Sequence, residues 1–266
     1  GSGDQVNDVE FSPNSEYVAV SIGRSGNGGT NGQTLMINVS TGLADATYNP
    51  SNEDRFYDAA FSPDGSMLAL GGNGDWFIVN TTSGLQDYSN SGPSASVNGI
   101  AWSPDGNYIA LCIGYSSGSS RVQLMKVSGN GWTQQWIKTH STSCYSVDFS
   151  PDGGQVVFGF GYYQTSGSTA YVYETDSGLS VDSFDFRPSS GCSGGQNSCG
   201  SFSGIAWHPD GIHIASAASR NDEGIYFWYA DLDEDNDGYN TTDQGDGLVD
   251  AFPTDGTQWD DTDNDG

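Results

Sequence analysis

Basic residues are scarce in this 266-residue chain. There are 7 Lys+Arg, with Lys126 and Lys138 the lysines, against 34 Asp+Glu, for a formal net charge of -27. Such a surface repels a phosphate backbone, which excludes nucleic acid as a partner. Histidine is limited to His140, His208 and His213, and the cysteines Cys112, Cys144, Cys192 and Cys199 form no C-x-x-C pair, so a zinc site is not expected. No run of 18 apolar residues occurs, so no membrane-spanning segment is expected. A local Cys–His pair and a metal triad are missing, and His208 is read as a turn residue. Of the enzymatic readings, a carboxylate pair for glycoside hydrolysis survives only because acids are so numerous, and no pair stands out. No signal peptide is visible, and the opening GSG is set aside as a processed or added end.

What the chain has in quantity is glycine, aromatics and one recurring phrase. FSPDGSMLALGG at 61–72 recurs as WSPDGNYIALCIG, FSPDGGQVVFGFG and WHPDGIHIASAA, with a looser FSPNSEYVAVSIG near the start. The turn prolines are Pro13, Pro63, Pro104, Pro151 and Pro209, spaced 50, 41, 47 and 58 residues apart. In each copy an apolar strand ends in Phe or Trp, and S-P-D-G reverses the chain. Proline presets φ at the first central position and glycine supplies the left-handed residue. A second strand, apolar on both faces, follows, then a third (TLMINV, WFIVN, VQLMKVS, AYVYET, IYFWYA), a short S-G-L type turn and a more polar fourth. Four antiparallel strands repeated around an axis predict an all-β propeller with five visible repeats, near 6–49, 56–89, 97–137, 144–186 and 202–230. The fifth lacks an obvious fourth strand.

These hairpins resemble those of the WD-repeat and TolB-like β-propeller superfamily, over residues 6–230. The Gly-His and Trp-Asp dipeptides of typical WD repeats are missing from residues 6–230, so the hydrogen-bond network they carry is not expected. The superfamily hosts scaffolds, lectins and enzymes alike, so the resemblance implies a fold rather than an activity. Tight turns fall on one face of such a ring. The connections 23–33, 49–56, 89–96, 161–168 and 187–201 are read as long loops on the other. Function concentrates on loops held by a rigid scaffold. The expected partner surface is therefore this loop face, with Arg24, Arg55, Tyr115, Arg121, Tyr162, Tyr163, Gln164 and Arg220, suited to a protein or a glycan.

After residue 230 the composition changes to an Asp-rich block without a basic residue. Asp233, Asp235 and Asp237 before Gly238, and Asp261, Asp263 and Asp265 before Gly266, each write D-x-D-x-D-G. Alternate aspartates of that kind can converge on a hard cation while glycine allows the sharp turn. Gln244 replaces the bidentate Glu of an EF-hand. Residues 231–266, with DAFPTDGTQWDDTDNDG, instead resemble thrombospondin type 3-like calcium repeats of secreted and surface proteins. That resemblance implies Ca²⁺ as cofactor, held by Asp233, Asp235, Asp237, Asp261, Asp263 and Asp265, with Asp250 and Asp255 as auxiliaries. The motif breaks off at Gly266, as if a longer protein continued.

Cys192 and Cys199 bracket a short Gly/Ser loop and are expected to bond. Cys112 and Cys144 are read either as a second bond or as two buried thiols. An even cysteine count with few lysines suits an oxidising, extracellular or cell-surface location. The expected function is a non-enzymatic binding or adhesion module on a calcium-rigidified stalk. The alternatives are a self-assembling subunit of an extracellular filament or layer and, more distantly, an extracellular glycoside hydrolase.

Overall fold

The computed structural model describes residues 4–24, 32–50, 53–115, 119–128, 131–161, 169–185, 201–219 and 224–229. Its named elements are all strands, in four antiparallel sheets. Unit 1 is β1 (Asp4–Phe11), β2 (Tyr17–Arg24), β3 (Gln33–Asn38) and β4 (Ala44–Tyr48), in that spatial order. Units 2 and 3 share one six-stranded sheet built from β5 (Phe56–Phe61), β6 (Met67–Asn80), β7 (Gln86–Trp102), β8 (Tyr108–Gly114), β9 (Ser120–Ser128) and β10 (Gly131–His140). Unit 4 is β11 (Ser143–Phe149), β12 (Gln155–Gly161), β13 (Thr169–Glu174) and β14 (Ser180–Asp185); unit 5 is β15 (Ser201–Trp207), β16 (His213–Ser219) and β17 (Gly224–Tyr229).

The five sequence repeats thus fall in four sheets, not in five separate four-stranded ones. β6 holds the second and third strands of unit 2. Fully extended it would span roughly 45 Å, yet Thr81 N–H, just past its end, donates to Ser66 O, just before its start, at 3.0 Å. The chain therefore doubles back within β6, where Gly74 takes φ +130°. β7 carries the fourth strand of unit 2 into the first strand of unit 3. The stretch 89–96, expected as a loop, is extended backbone. The ladder against β6 jumps from Asp75↔Ser91 to Asn73↔Ser96, and Pro93 falls in the unpaired interval, where its missing N–H breaks no ladder bond. In unit 5 three strands are described, because the chain after 229 lies outside the described residues.

The S-P-D-G turn is built as its composition predicts. Ser62 N–H donates to Met67 O, Gly65 N–H to Ser62 O, and Ser62 Oγ–H to Asp64 Oδ1 at 2.6 Å. Gly65, Gly106, Gly153 and Gly211 sit at φ between 72° and 80°. In unit 1 Ser15 takes that place at φ 59°, a conformation that costs a non-glycine residue.

The inner strands β1, β5, the second half of β7, β11 and β15 line a central channel and are tied to one another by side chain–backbone bonds. Ala59 N–H donates to Asp8 Oδ2 (3.2 Å), Ile100 N–H to Asp58 Oδ2 (2.7 Å), Ile205 N–H to Ser146 Oγ (3.1 Å) and Trp207 N–H to Asp148 Oδ2 (2.7 Å). Between units 3 and 4 the equivalent position is Gly99, where a Cβ would lie 3.1 Å from both Cys112 Cβ and Ser146 Cα. The tie there is the Cys112–Cys144 disulfide, with Asn98 Nδ2 donating to Cys144 O at 2.9 Å. Of the two readings left open for these cysteines, the bond is the one observed.

Four apolar cores form between successive units, for example Trp136, Leu124 and Tyr108 of unit 3 against Phe158, Phe160 and Tyr173 of unit 4. Outer strands add ties of their own: Tyr48 Oη–H donates to Thr81 O and Trp136 Nε1–H to Thr175 O. The same repeat positions change character at the two ends. Four residues before the turn proline, Ala59, Ile100, Val147 and Ile205 are buried, whereas Val9 is 61% exposed. On the opposite face of the third strand, Met36, Leu124 and Val172 are buried, whereas Phe227 is 70% exposed. These faces of units 1 and 5 are uncovered among the described residues.

If the inner ties hold the units in register, Asp58→Ala should lower stability by about 1–3 kcal/mol, since Ile100 N–H loses its acceptor. Asp54→Ala, on an exposed side chain, should stay within about 0.5 kcal/mol. Urea unfolding of both variants makes the comparison, and equal small losses would contradict the role given to Asp58.

Candidate functional site

Three surfaces bring polar side chains together. The first is the channel, a cavity of about 420 Å³ lined by Asp8, Glu10, Asp58 and Asp148 among the inner strands. Burial pushes Glu10 up to about 7, helped by the charges of Asp8 and Asp148, and burial pushes Asp148 up to about 6. Burial also raises Asp8 and, more strongly, Asp58, which faces the Asp8 charge as well. Three of these four carboxyls already accept backbone N–H bonds from the next unit. The work of those three is structural, and the raised pKa values record first the burial of the carboxylates and then, for Glu10 and Asp58, the neighbouring negative charges.

The second surface is a groove of about 870 Å³ on the tight-turn face, running over the turns of units 3, 4 and 5. Its acids are Asp105, Asp152, Glu174, Asp176 and Asp210, interleaved with Tyr108, Trp207 and Pro209. Asp152 is held below the usual carboxylate range by the Ser150 hydroxyl and Gly154 N–H; for Asp105 burial pulls the other way but bonds from Ser103 and Asn107 outweigh it. Tyr108 Oη–H donates to Asp176 Oδ1 at 2.8 Å, and Lys126 Nζ lies 5.1 Å from the Tyr108 ring at the rim. The groove thus gathers five acidic side chains, and its turn aspartates Asp105, Asp152 and Asp210 are held below the usual carboxylate range. At one end His208 and His213 both approach Asp210, an arrangement the sequence reading passed over because His208 fills a turn position. The H-x-D-x-x-H spacing of residues 208–213 was the available signal.

On the third surface, the loop face, the residues expected from sequence are only partly gathered. Arg121 lies 5.4 Å from the centre of the Tyr115 ring, so these two do meet, and Tyr115 Oη is buried without a hydrogen-bond partner among the described residues. Arg55 instead sits in the seam of units 1 and 2, bridged to Gly23, where its Cβ lies 3.1 Å from the place a Gly23 Cβ would occupy. Arg24 is described only as backbone at the end of β2. Tyr162, Tyr163, Gln164, Arg220, Cys192, Cys199 and the calcium-site aspartates Asp233, Asp235, Asp237, Asp250, Asp255, Asp261, Asp263 and Asp265 lie outside the described residues.

The channel makes stability pH-dependent in a defined direction. Acids whose folded-state values are raised hold protons that the unfolded chain releases near pH 4, so stability falls as pH rises from about 4 toward 7. Glu10→Gln removes one such acid. Its melting temperature should match the parent near pH 4 and exceed it near pH 8; the same difference at both pH values would refute the assignment.

Residues 85–122, from the end of unit 2 to the third strand of unit 3, match the WD domain, G-beta repeat family. An uncharacterised WD repeat-containing protein of Synechocystis is 27% identical over 152 residues, which are 57% of this chain and 40% of that protein. Among solved structures, Kuenenia stuttgartiensis hydrazine synthase superposes with a TM-score of 0.64 at 15% identity, over 80% of this chain and 55% of that one. A chain of a mitotic checkpoint complex does so with a TM-score of 0.67 at 18% identity, over 85% and 64%. This chain therefore spans less than two thirds of the length of each of these relatives, and the structural likeness is one of fold.

Proposed function

We propose that this chain, an all-β propeller containing a WD repeat, is a non-enzymatic protein-interaction module whose anionic tight-turn groove takes a Lys/Arg-rich segment of a partner. The groove itself is the observation that carries the reading. It crosses three units tied to one another, it gathers five acidic side chains, and tyrosine, tryptophan and proline between them offer apolar contact. Electrostatic complementarity of this kind favours fast, salt-sensitive association. The checkpoint-complex neighbour shows that the same fold occurs within a protein assembly. Three of the four channel carboxyls, Asp8, Asp58 and Asp148, use hydrogen bonds within the scaffold, which does not favour a hydrolytic pair there.

A second contact is proposed on the loop face, favoured by the Tyr115–Arg121 pair, which leaves a planar cation on an aromatic ring at the end of unit 3. The module is further proposed to be extracellular and joined to a calcium-binding stalk. The Cys112–Cys144 bond supports an oxidising location. The D-x-D-x-D-G spacing of 233–238 and 261–266 supports the stalk.

Glu174→Lys/Asp176→Lys should weaken binding of a lysine-rich peptide at least tenfold at low ionic strength, and the loss should shrink as salt is added. The control Glu16→Lys/Asp54→Lys changes net charge equally away from the groove and should keep most of the affinity. Equal losses in the two variants would reduce the effect to overall charge and remove the groove from the proposal.

Calcium is tested separately by titration calorimetry of the chain with and without 231–266. Uptake in the range of about 10⁻⁴–10⁻³ M that disappears with the segment is expected. No uptake by the full chain would end the stalk reading.

A further inference from the structure

The geometry points to a surface site for a transition-metal dication of the zinc class, held by His208, Asp210 and His213 at the turn of unit 5. Two of the three histidines in the chain converge here on one carboxylate. Asp210 Oδ2 lies 2.9 Å from His208 Nδ1 and 2.6 Å from His213 Nδ1, and the three groups present one ligand atom each within 4.8 Å of one another. Borderline cations such as Zn²⁺ favour this imidazole-plus-carboxylate set, with Zn–N and Zn–O distances of roughly 2.0–2.2 Å and a remaining position open to water. Small rotations of the exposed side chains, opening the two nitrogen–oxygen separations toward about 3.4 Å, would seat the ion. Hard Ca²⁺ prefers six to eight oxygens and is poorly served here.

Comparison with the other repeats shows that the site is specific to unit 5. In units 2, 3 and 4 the residue before the turn proline is serine, and its hydroxyl donates to Oδ1 of the turn aspartate at 2.5–2.6 Å. Unit 5 has His208 there, and His213 where the other units have Tyr17, Met67, Tyr108 and Gln155. Asp210 Oδ1 still secures the turn, accepting from Ile212 N–H at 2.9 Å and His213 N–H at 3.0 Å. Oδ2 is thereby oriented toward the two imidazoles, the kind of outer support that fixes a ligating carboxylate.

The hydrogen bonding at His208 is also in conflict. Its Nδ1 accepts the Asp210 N–H at 3.2 Å, so its lone pair faces a carboxylate oxygen 2.9 Å away. Placing a proton on Nδ1 relieves that repulsion but deprives the Asp210 N–H of its acceptor. A dication between the nitrogen and Oδ2 takes the Nδ1 lone pair from the Asp210 N–H as a proton would, but it removes the repulsion and is held by the second imidazole as well. The inference does not depend on what the groove binds, although Asp210 and Ile212 line both.

The test is Zn²⁺ titration of the full chain with millimolar Ca²⁺ present to occupy oxygen-rich sites. His208→Ser restores the residue that the other repeats carry and keeps the turn; His213→Gln copies unit 4. One equivalent of Zn²⁺ is expected in the parent, at least tenfold weaker binding in each variant, and unchanged melting temperatures without metal. As a check needing no variant, Co²⁺ should perturb the ring-proton signals of two of the three histidines and spare that of His140, which packs on Phe160. Parent-like Zn²⁺ affinity in the His208→Ser/His213→Gln chain, or equal perturbation of all three histidines, would overturn the site.

Discussion

The arrangement rests on how the inner strand of each unit satisfies its channel-side backbone. An inner strand has a sheet partner on one edge only, and its other row of N–H groups needs acceptors. The preceding unit supplies them through Asp8, Asp58, Ser146 and Asp148. Each such bond fixes the distance and rotation between two blades, and the outer strands then meet at separations that close the four interunit cores. Where Gly99 leaves no side chain for the purpose, a covalent bond between Cys112 and Cys144 performs the same task.

Using carboxylates as the ties loads the channel with like charges. Glu10 and Asp148 sit close enough to influence one another across it, and a chain with a net charge of -27 offers few cations in compensation. Protonation and counterions must relieve the repulsion, so the scaffold is sensitive to pH and ionic strength. On the tight-turn face the same residue type behaves oppositely. There Asp64, Asp105 and Asp152 accept hydroxyl and backbone donors, which hold them below the usual carboxylate range. Acids that hold the fold are crowded and partly neutralised, while those facing the groove remain available to a partner.

The packing rule that joins unit to unit is unfulfilled at both ends of the described structure. Val9 and Phe11 repeat positions that are buried in unit 2, and Phe227 and Ile225 repeat the outward face of unit 4, yet all four are more than half exposed. The surfaces are of the kind that successive blades bury against one another. The chain also spans 40% to 64% of the lengths of its relatives.

The repeat determined by itself much of what was found: the all-β class, the five units, the S-P-D-G hairpins with glycine at positive φ, and strands buried on both faces. These features follow from local rules, because turn chemistry and strand periodicity act over a few residues and the sequence repeats them. The extended backbone through 89–96 was not legible, since SNSGPSAS has a loop's composition and its ends are held by pairing with Asp75 and Asn73. Nor was the groove, whose acids come from turns tens of residues apart, or the choice between a bond and two thiols for Cys112 and Cys144. His208 and His213 were legible as residues and not as a pair, because a tight turn and a hairpin register bring them to one carboxylate. Spacing along the chain decides turns and strands; which side chains share a surface depends on how successive blades are rotated, and that is set by contacts between units.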